Sequence, residues 1–476
     1  MKSDAEHFIK QYLKELNENN AAIFAGAGLS VPAGYVNWKN LLQPLAEELN
    51  IDIEREHDLV SLAQYHLNAN GRHRLNQQLL DEIGVSKEVT PNHKILARLP
   101  ISTYWTTNYD KLIERSLEEA EKIPDVKYTN NQLATTKKKR NAIVYKMHGD
   151  IDHPDSAVLT KDDYERYAIK HGPYINALSG DLISKTFLFI GFSFTDPNLD
   201  YVMSRIRIHF EEHQRQHYCI FKRCEESDYK TIDDFNHAKI KQELVIKDLE
   251  RFRVKTLLVD KYSEITDILK KIETSYRCNT IFFSGSAHEF GNWEQKKVEN
   301  FVSRLGEILI DKQFKISSGI GLGIGNALIT GAIKSIYSKH GGNIADYLTM
   351  RPFPQYIDDP ILRDKTWEKY RYDVIGYAGI SLFFMGNKLE NGKVVAAEGV
   401  KKEFEIAEKL GLLLLPIGAS GYMAEQLWKT VMANIDNYYP NATDEFIDAI
   451  KALGESVDDP DKLISKVIKA IELTSS

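Results

Sequence analysis

The sequence predicts an α/β protein made of two open, mostly parallel Rossmann-like sheets in two domains. Three observations predict it. Short apolar runs alternate with stretches of helical periodicity. The alternation starts afresh beyond Tyr276. A chain of 476 residues also exceeds what one ordinary core organises.

In the first half the apolar runs are AAIFAG, STYWTT, AIVYKMHG and TFLFIGFS, and segments such as NWKNLLQPLAEEL and YDKLIERSLEEA separate them with apolar residues at helical spacing. The opening segment MKSDAEHFIKQYLKELNENN has the same periodicity and lacks the continuous apolar stretch of a signal peptide, so it reads as a surface helix. A charged helical region covers Glu225 to Glu250, RVKTLLVD is a further strand and EITDILKKIETSY a closing helix, which sets the first domain at 1–276. The second domain, 277–476, repeats the pattern with TIFFSGSA, FKISSGIGLGIG, YLTMRPFP, AGISLFFMG and LLLLPIG, and from Pro440 onward it reads as amphipathic helices. Runs this apolar suit strands covered on both faces, and they are too short to span a bilayer. No membrane span is expected.

With 43% hydrophobic and 27% charged residues the whole chain is expected to fold. A net charge of -7 offers no basic field to a nucleic-acid backbone, and the basic run Lys137 to Arg140 is short enough for a solvated loop. Cys219, Cys224 and Cys278 are odd in number and form no C-x-x-C, which excludes a disulfide framework and a four-cysteine zinc site. The expectation is a cytoplasmic protein without a metal.

Ligands of open α/β sheets gather at the carboxyl edges of the strands, and polar residues stand there wherever an apolar run stops. GAGLS follows the first strand and brings Ala25, Gly26, Ala27, Gly28 and Ser30 to a turn into a helix, where small residues let backbone N–H groups approach a diphosphate and the helix dipole favours it. TTNYD carries Asn108 and Asp110, KMHGD carries His148, and GFSFTDPNL carries Gly191, Ser193 and Asp196. Each has a plainer alternative: a tight turn for the glycines, helix caps for Asn108 and Asp110, a satisfied core histidine, and a turn shaped by Ser193 and Asp196. Coincidence at all four strand ends is the weaker account of the set.

In the second domain SGIGLGIGN places Gly319, Gly321, Gly323 and Gly325 between a strand and a helix, with Gly285 and Ser286 at the preceding strand end. Alternating glycines cost backbone entropy, so something approaches that backbone closely: a phosphate, or a neighbouring subunit packed on a flexible loop. Arg351 ends one strand and Lys388 follows another. Arg371 shares a helical face with Trp367, Tyr370 and Val374, so it leans inward and needs an anion, either a phosphate or a carboxylate such as Asp373 or Glu403. Gly399 and Glu403 open a further helix, where Glu403 is placed to accept from ribose hydroxyls.

At these residues the first domain resembles the sirtuins, and more closely the bacterial sirtuin-like proteins with GFSFxDPN; GAGLS, TTNYD, HG and GFS follow in the family's order over roughly the first 275 residues. The resemblance implies NAD as substrate. Ala25, Gly26, Ala27, Gly28, Ser30, Gly191, Ser193 and Asp196 then line its site, Asn108 holds the nicotinamide ribose and the attacking water, Asp110 supports that pocket, and His148 is the general base. Two departures narrow the chemistry: the zinc-binding cysteine module is missing, and GYVNWKN stands where deacetylating sirtuins carry GIPDFR. Water is therefore the expected acceptor, giving nicotinamide and ADP-ribose.

The second domain resembles the SLOG family of nucleotide sensors, relatives of phosphoribohydrolases whose PGGxGTxxE motif is here EGVKKEFE, which implies sensing in place of catalysis. Gly285, Ser286, Gly321, Gly323, Arg351, Arg371, Lys388, Gly399 and Glu403 are then the activator site. A sirtuin-like domain followed by SLOG resembles the effectors of Thoeris antiphage defence. This implies a homotetrameric NADase switched on by a cyclic ADP-ribose isomer from a partner TIR-domain protein. The competing functions are a zinc-free protein deacylase and a non-catalytic nucleotide sensor.

Overall fold

Seven strands of the first half pair in parallel: β1 (Ala21–Ala25), β2 (Thr103–Thr106), β3 (Pro124–Lys127), β4 (Ala142–Lys146), β5 (Thr186–Ile190), β6 (His217–Lys222) and β7 (Val254–Val259), in the order β3-β4-β2-β1-β5-β6-β7. The computed structural model describes residues 2–340, 342–354, 356–440 and 442–473. It has two compact units, Met1–Glu273 and Thr274–Ser476, and the divide falls within helix Tyr262–Arg277.

The central strands β1 and β5 are buried at every position because helices cover both faces, which is why their sequence is apolar without alternation. Phe24, Trp105, Phe187 and Phe189 fill one side of this sheet. The opening helix, Lys2–Asn17, packs closely on the sheet: it buries Phe8, Tyr12 and Leu16, and the Tyr12 hydroxyl donates to the Ala22 carbonyl at 3.1 Å. Between β1 and β2, after the short helix Ala27–Ser30, the chain inserts the longer helices Trp38–Glu48, Leu59–Asn70, Arg72–Ile83 and Pro91–Arg98. Asn37 and Asp58 cap the first two of these longer helices, and Leu41, Leu45, Leu62 and Leu79 form their own core. From β1 the chain moves to one side of the sheet and with β5 returns to the other, so the topological switch point lies at the carboxyl end of β1.

Two strands are not evident in the sequence. β3 opens with Pro124, which suits only the start of an edge strand, and its Asp125 is buried in ion pairs with Lys127 and Arg140 at 2.7 and 3.0 Å. β6, HYCIFK, stands between polar segments that mask it.

The second unit is a five-stranded parallel sheet, ordered β10-β9-β8-β11-β14, from β8 (Thr280–Ser286), β9 (Lys315–Ser318), β10 (Leu348–Met350), β11 (Ile380–Met385) and β14 (Leu413–Pro416). A hairpin, β12 (Asn387–Glu390) and β13 (Lys393–Ala396), leaves the end of β11. Its two-residue turn has Asn391 at φ 51° and Gly392 at φ 77°, the pair of left-handed residues that Asn-Gly hairpins require. Helices Asp444–Ala452 and Leu463–Leu473 close the core with Phe446, Ile450, Leu463, Val467 and Ile471. Among the described residues no helix is long and apolar enough to cross a membrane.

Candidate active site

The carboxyl edge of the first sheet opens into a cavity of about 1370 Å³, larger than the roughly 300–1,000 Å³ of a drug-sized pocket and roomy enough for a dinucleotide. Ala27, Gly28, Ser30, Asn108, Asp110, His148, Gly191, Ser193 and Asp196 all contribute to its wall. Ala25 and Gly26 do not. The Ala25 carbonyl accepts from the Thr106 hydroxyl at 3.0 Å, and the Gly26 carbonyl accepts from Asn108.

The close approach made by the glycines is within the protein. The Gly26 and Gly28 N–H groups donate to the carbonyls of Ile190 and Gly191 at 3.0 and 2.9 Å, which zips the turn after β1 to the turn after β5. Gly191 sits at φ +63°, and a Cβ added there would lie 2.2 Å from the Leu29 nitrogen. Gly191→Ala is expected to cost at least ~2 kcal/mol, from the left-handed backbone plus the clash, read as a lowered thermal midpoint. The helix that follows is only Ala27–Ser30, continued by the 3₁₀ turn Val31–Ala33, too short for the expected dipole contribution to a diphosphate.

Asn108 follows β2 and is buried. Its Nδ2 donates to the Gly26 carbonyl and to Ser30 Oγ, both at 3.1 Å. Only an amide nitrogen can donate to that carbonyl, so the orientation is forced and Oδ1 keeps its lone pairs for a water or a ribose hydroxyl. Ser30 in turn donates to Asp110 Oδ2 at 2.8 Å, while Asp110 Oδ1 accepts from the Leu112 N–H at 2.9 Å. Asp110 thus holds the first N–H of helix Leu112–Glu119 and also steadies the hydroxyl behind Asn108.

His148 Nε2 faces Asp196 Oδ2 at 3.0 Å, with both side chains less than a tenth exposed. The ring is not turned for a well-aligned hydrogen bond. Tyr109, Tyr164 and Tyr167 place their rings around the imidazole, which keeps the pair out of bulk water. Burial pushes the Asp196 carboxyl up. His148 and the N–H groups of Leu199 and Asn198 outweigh it and hold the carboxyl below its ordinary range. Asp196 is also the N-cap of helix Pro197–Phe210. Ser193 is exposed and pairs with Thr195 at 2.8 Å.

In the second unit the glycine loop folds over its own sheet: a Cβ on Gly321 would meet the Gly285 carbonyl at 1.6 Å, and one on Gly323 the Ala287 carbonyl at 2.0 Å. Ile320 is held at φ 57°, an uncommon state for a β-branched residue and of the kind that clusters at ligand loops. Arg371 is buried against the rings of Phe353 and Trp367, and its Nε lies 3.7 Å from Glu403 with no hydrogen-bond partner among the described residues. Gly399 lies against the same guanidinium, and Glu403 accepts from Ser284 Oγ at 2.6 Å. Burial pushes the Glu403 carboxyl up against the opposing pull of Ser284 and Arg371. The remaining candidates are engaged elsewhere: Arg351 lies over Tyr377, Lys388 pairs with Glu390, and the Ser286 hydroxyl donates to the Asn387 carbonyl.

Comparison with known proteins shows which families the two units match. Residues 102–243 match the SIR2-like domain family, and residues 264–474 match the Sir2- and TIR-associating SLOG family. The chain is 57% identical to a protein of Acinetobacter baumannii (strain 532279) over 98% of both chains. It is 50% identical to one of Bacillus cereus (strain MSX-D12) over 99% of this chain and 98% of that one, and 46% identical to one of Cytobacillus dafuensis over 99% and 97%. All three are named NAD(+) hydrolase ThsA. The chain belongs to the ThsA family.

Within this ThsA-family fold, the sequence patterns missed the pairings that organise the sites. Asp196 reads as a turn former from DPN, and its partnership with His148 appears only once β4 and β5 are placed. Tyr164 and Ser284 carry no motif. Asn387, whose amide oxygen accepts from the His288 and Glu289 N–H groups at 2.8 and 3.0 Å, has a signal in its place as the first residue of the hairpin. Among the described residues no cluster of three or more His, Cys, Asp or Glu has a metal-holding geometry.

Proposed function

We propose that the chain hydrolyses NAD+ to nicotinamide and ADP-ribose at the edge of the seven-stranded sheet. The observation that carries this is the meeting in one cavity of a fixed Asn108 amide oxygen and a His148 imidazole backed by Asp196. Departure of nicotinamide from C1′ leaves an oxocarbenium-like ribose. A neutral amide orients the attacking water without adding charge, and His148 takes the proton that water loses. Asp196 steadies the imidazolium that results. The names of the relatives support the substrate, and the balance is NAD+ plus water to nicotinamide, ADP-ribose and a proton.

The second unit is proposed to bind a cyclic ADP-ribose isomer through Arg371, and that isomer to switch the hydrolase on. A TIR-domain protein is its proposed source, in keeping with the family described as Sir2- and TIR-associating. NAD+ depletion in infected cells, a cytoplasmic location and a homotetramer complete the proposal. Incubating the full chain with NAD+, with and without cyclic ADP-ribose, tests it: nicotinamide release supports it, binding without release supports a non-catalytic sensor, and release only with an acylated peptide supports a deacylase.

Two further outcomes are expected. Chelators leave NAD+ hydrolysis unchanged, and stoichiometric zinc in purified protein would contradict this. Asp196→Asn keeps a competent N-cap but removes the charge facing His148, so activity falls about tenfold or more and the thermal midpoint at neutral pH drops by the contribution of that one carboxylate. The pH dependence has a definite sign. A carboxyl depressed in the folded state stabilises above its unfolded pKa of about 4 and loses that contribution as pH falls through the depressed value. Melting midpoints of Asp196→Asn should therefore fall less steeply than those of the unmodified chain on acidification below that point.

A further inference from the structure

We propose that Lys146 is the positioning residue of the catalytic edge: its ammonium locks the turn carrying Asn108 to the strand end carrying His148. The side chain is completely buried at the last position of β4, two residues before His148. Nζ donates to the carbonyls of Tyr109 at 3.0 Å and Asp110 at 2.6 Å, the two residues directly after Asn108, and to Asp150 Oδ2 at 2.6 Å. An ammonium has three protons, and all three are committed. Glu114 lies 3.1 Å away without an aligned hydrogen bond and contributes only its field.

A lysine is an expensive way to fill this space. Desolvating an ion costs several kcal/mol, and an apolar residue of similar volume often stabilises a core as well or better. What an apolar residue cannot supply is three directed donors that join two turns. Burial pushes the lysine down, but Glu114, Asp150 and Asp110 more than compensate and keep it an ammonium. Asp150 is tied into the second turn through the Asp152 N–H at 2.9 Å, and the Ile151 N–H donates to the same Tyr109 carbonyl at 3.1 Å. Lys146 touches neither the reacting bond nor water. It acts by setting where the Asn108 amide and the His148 ring stand, and a displacement on the order of 1 Å between such groups costs roughly 10²-fold in rate.

The inference rests on the NAD+-cleaving reading above, and the test separates the two. The full-length double variant Lys146→Met/Glu114→Gln removes the ammonium together with one carboxylate that faces it, which limits the buried charge left unpaired. NAD+ consumption is measured for this variant and the unmodified chain with cyclic ADP-ribose added to both, and kcat is expressed per folded molecule from a parallel thermal melt. The expected result is a kcat lowered roughly 10²-fold, with KM for NAD+ moving less than about threefold. A tenfold or greater fall in kcat at steady KM supports the proposal. A smaller fall, or a loss carried by KM, overturns it and leaves Lys146 a structural ion. Should the double variant not fold, Asp150→Asn, which keeps the shape and an amide oxygen for Nζ, decides by kcat: a fall of threefold or more supports the proposal and a smaller one overturns it. An unmodified chain that releases no nicotinamide instead sinks the functional reading.

Discussion

Asn108→Ala and His148→Ala are each expected to leave a folded protein whose NAD+ hydrolysis is lower by two to four orders of magnitude. The two losses have different origins. Removing the amide frees the water and ribose that Oδ1 orients, and orientation of this kind is worth several kcal/mol of barrier. Removing the imidazole takes away proton acceptance, worth about 10²–10⁴-fold. Because the Asn108 amide also donates to the Gly26 carbonyl and Ser30, its alanine variant leaves that carbonyl with only the Leu29 N–H and should melt somewhat lower, by the ~0.5–1.5 kcal/mol of a lost hydrogen bond. His148→Ala lacks that penalty in protein hydrogen bonds, since Nε2 makes none of good geometry, but it leaves the buried Asp196 carboxylate without the imidazole that faces it at 3.0 Å. Nicotinamide release measured beside the thermal melt separates lost chemistry from lost fold. Near-normal turnover in either variant would remove that residue from the site.

How far such a site can be read in advance depends on which interactions are local. Strands buried on both faces must be continuous apolar runs, so β1, β2, β4 and β5 and all five strands of the second sheet stand out in the sequence. β3 does not, because an edge strand tolerates Pro124 and a buried Asp125 whose charge is met by Lys127 of the same strand and by Arg140. The polar residues at strand ends were legible for a topological reason: chain reversal there puts them on one edge whatever their role. Their pairings were not. That Asp196 faces His148, or that Ser30 bridges Asn108 and Asp110, depends on which strands are neighbours, and strand order is not written in any one segment.

The glycines teach a related point. Gly26, Gly28, Gly321 and Gly323 are small because backbone approaches them closely, as their spacing implies, yet the approaching atoms belong to Gly191, Gly285 and Ala287 of the same chain. A phosphate is not needed to explain them. Lys146 is illegible for the opposite reason, since lysine is among the residues least expected in a core and nothing in KMHGD marks it as buried.

Arg371→Ala is expected to raise the concentration of cyclic ADP-ribose isomer needed for activation by about 10–100-fold, as loss of a charge-assisted pair worth ~1.5–3 kcal/mol implies. The guanidinium is buried against Phe353 and Trp367, and among the described residues its Nε lacks an acceptor although Glu403 stands at 3.7 Å. That distance gives attraction without a hydrogen bond, and a planar fork so held is preorganised for a phosphate. Glu403 does not satisfy it, because its carboxyl is pushed up by burial and its nearer oxygen contact is the Ser284 hydroxyl. A ligand activates only in so far as it prefers the active state, so weaker binding shifts the dose response, and loss of the preference itself flattens it. If Arg371 serves only to balance Glu403, the variant melts lower and binds the nucleotide as before. Titration calorimetry beside a thermal melt distinguishes these outcomes: unchanged affinity with a lowered midpoint removes Arg371 from the sensor, whereas weakened affinity with Asn108-dependent hydrolysis still reachable at saturating nucleotide places it there.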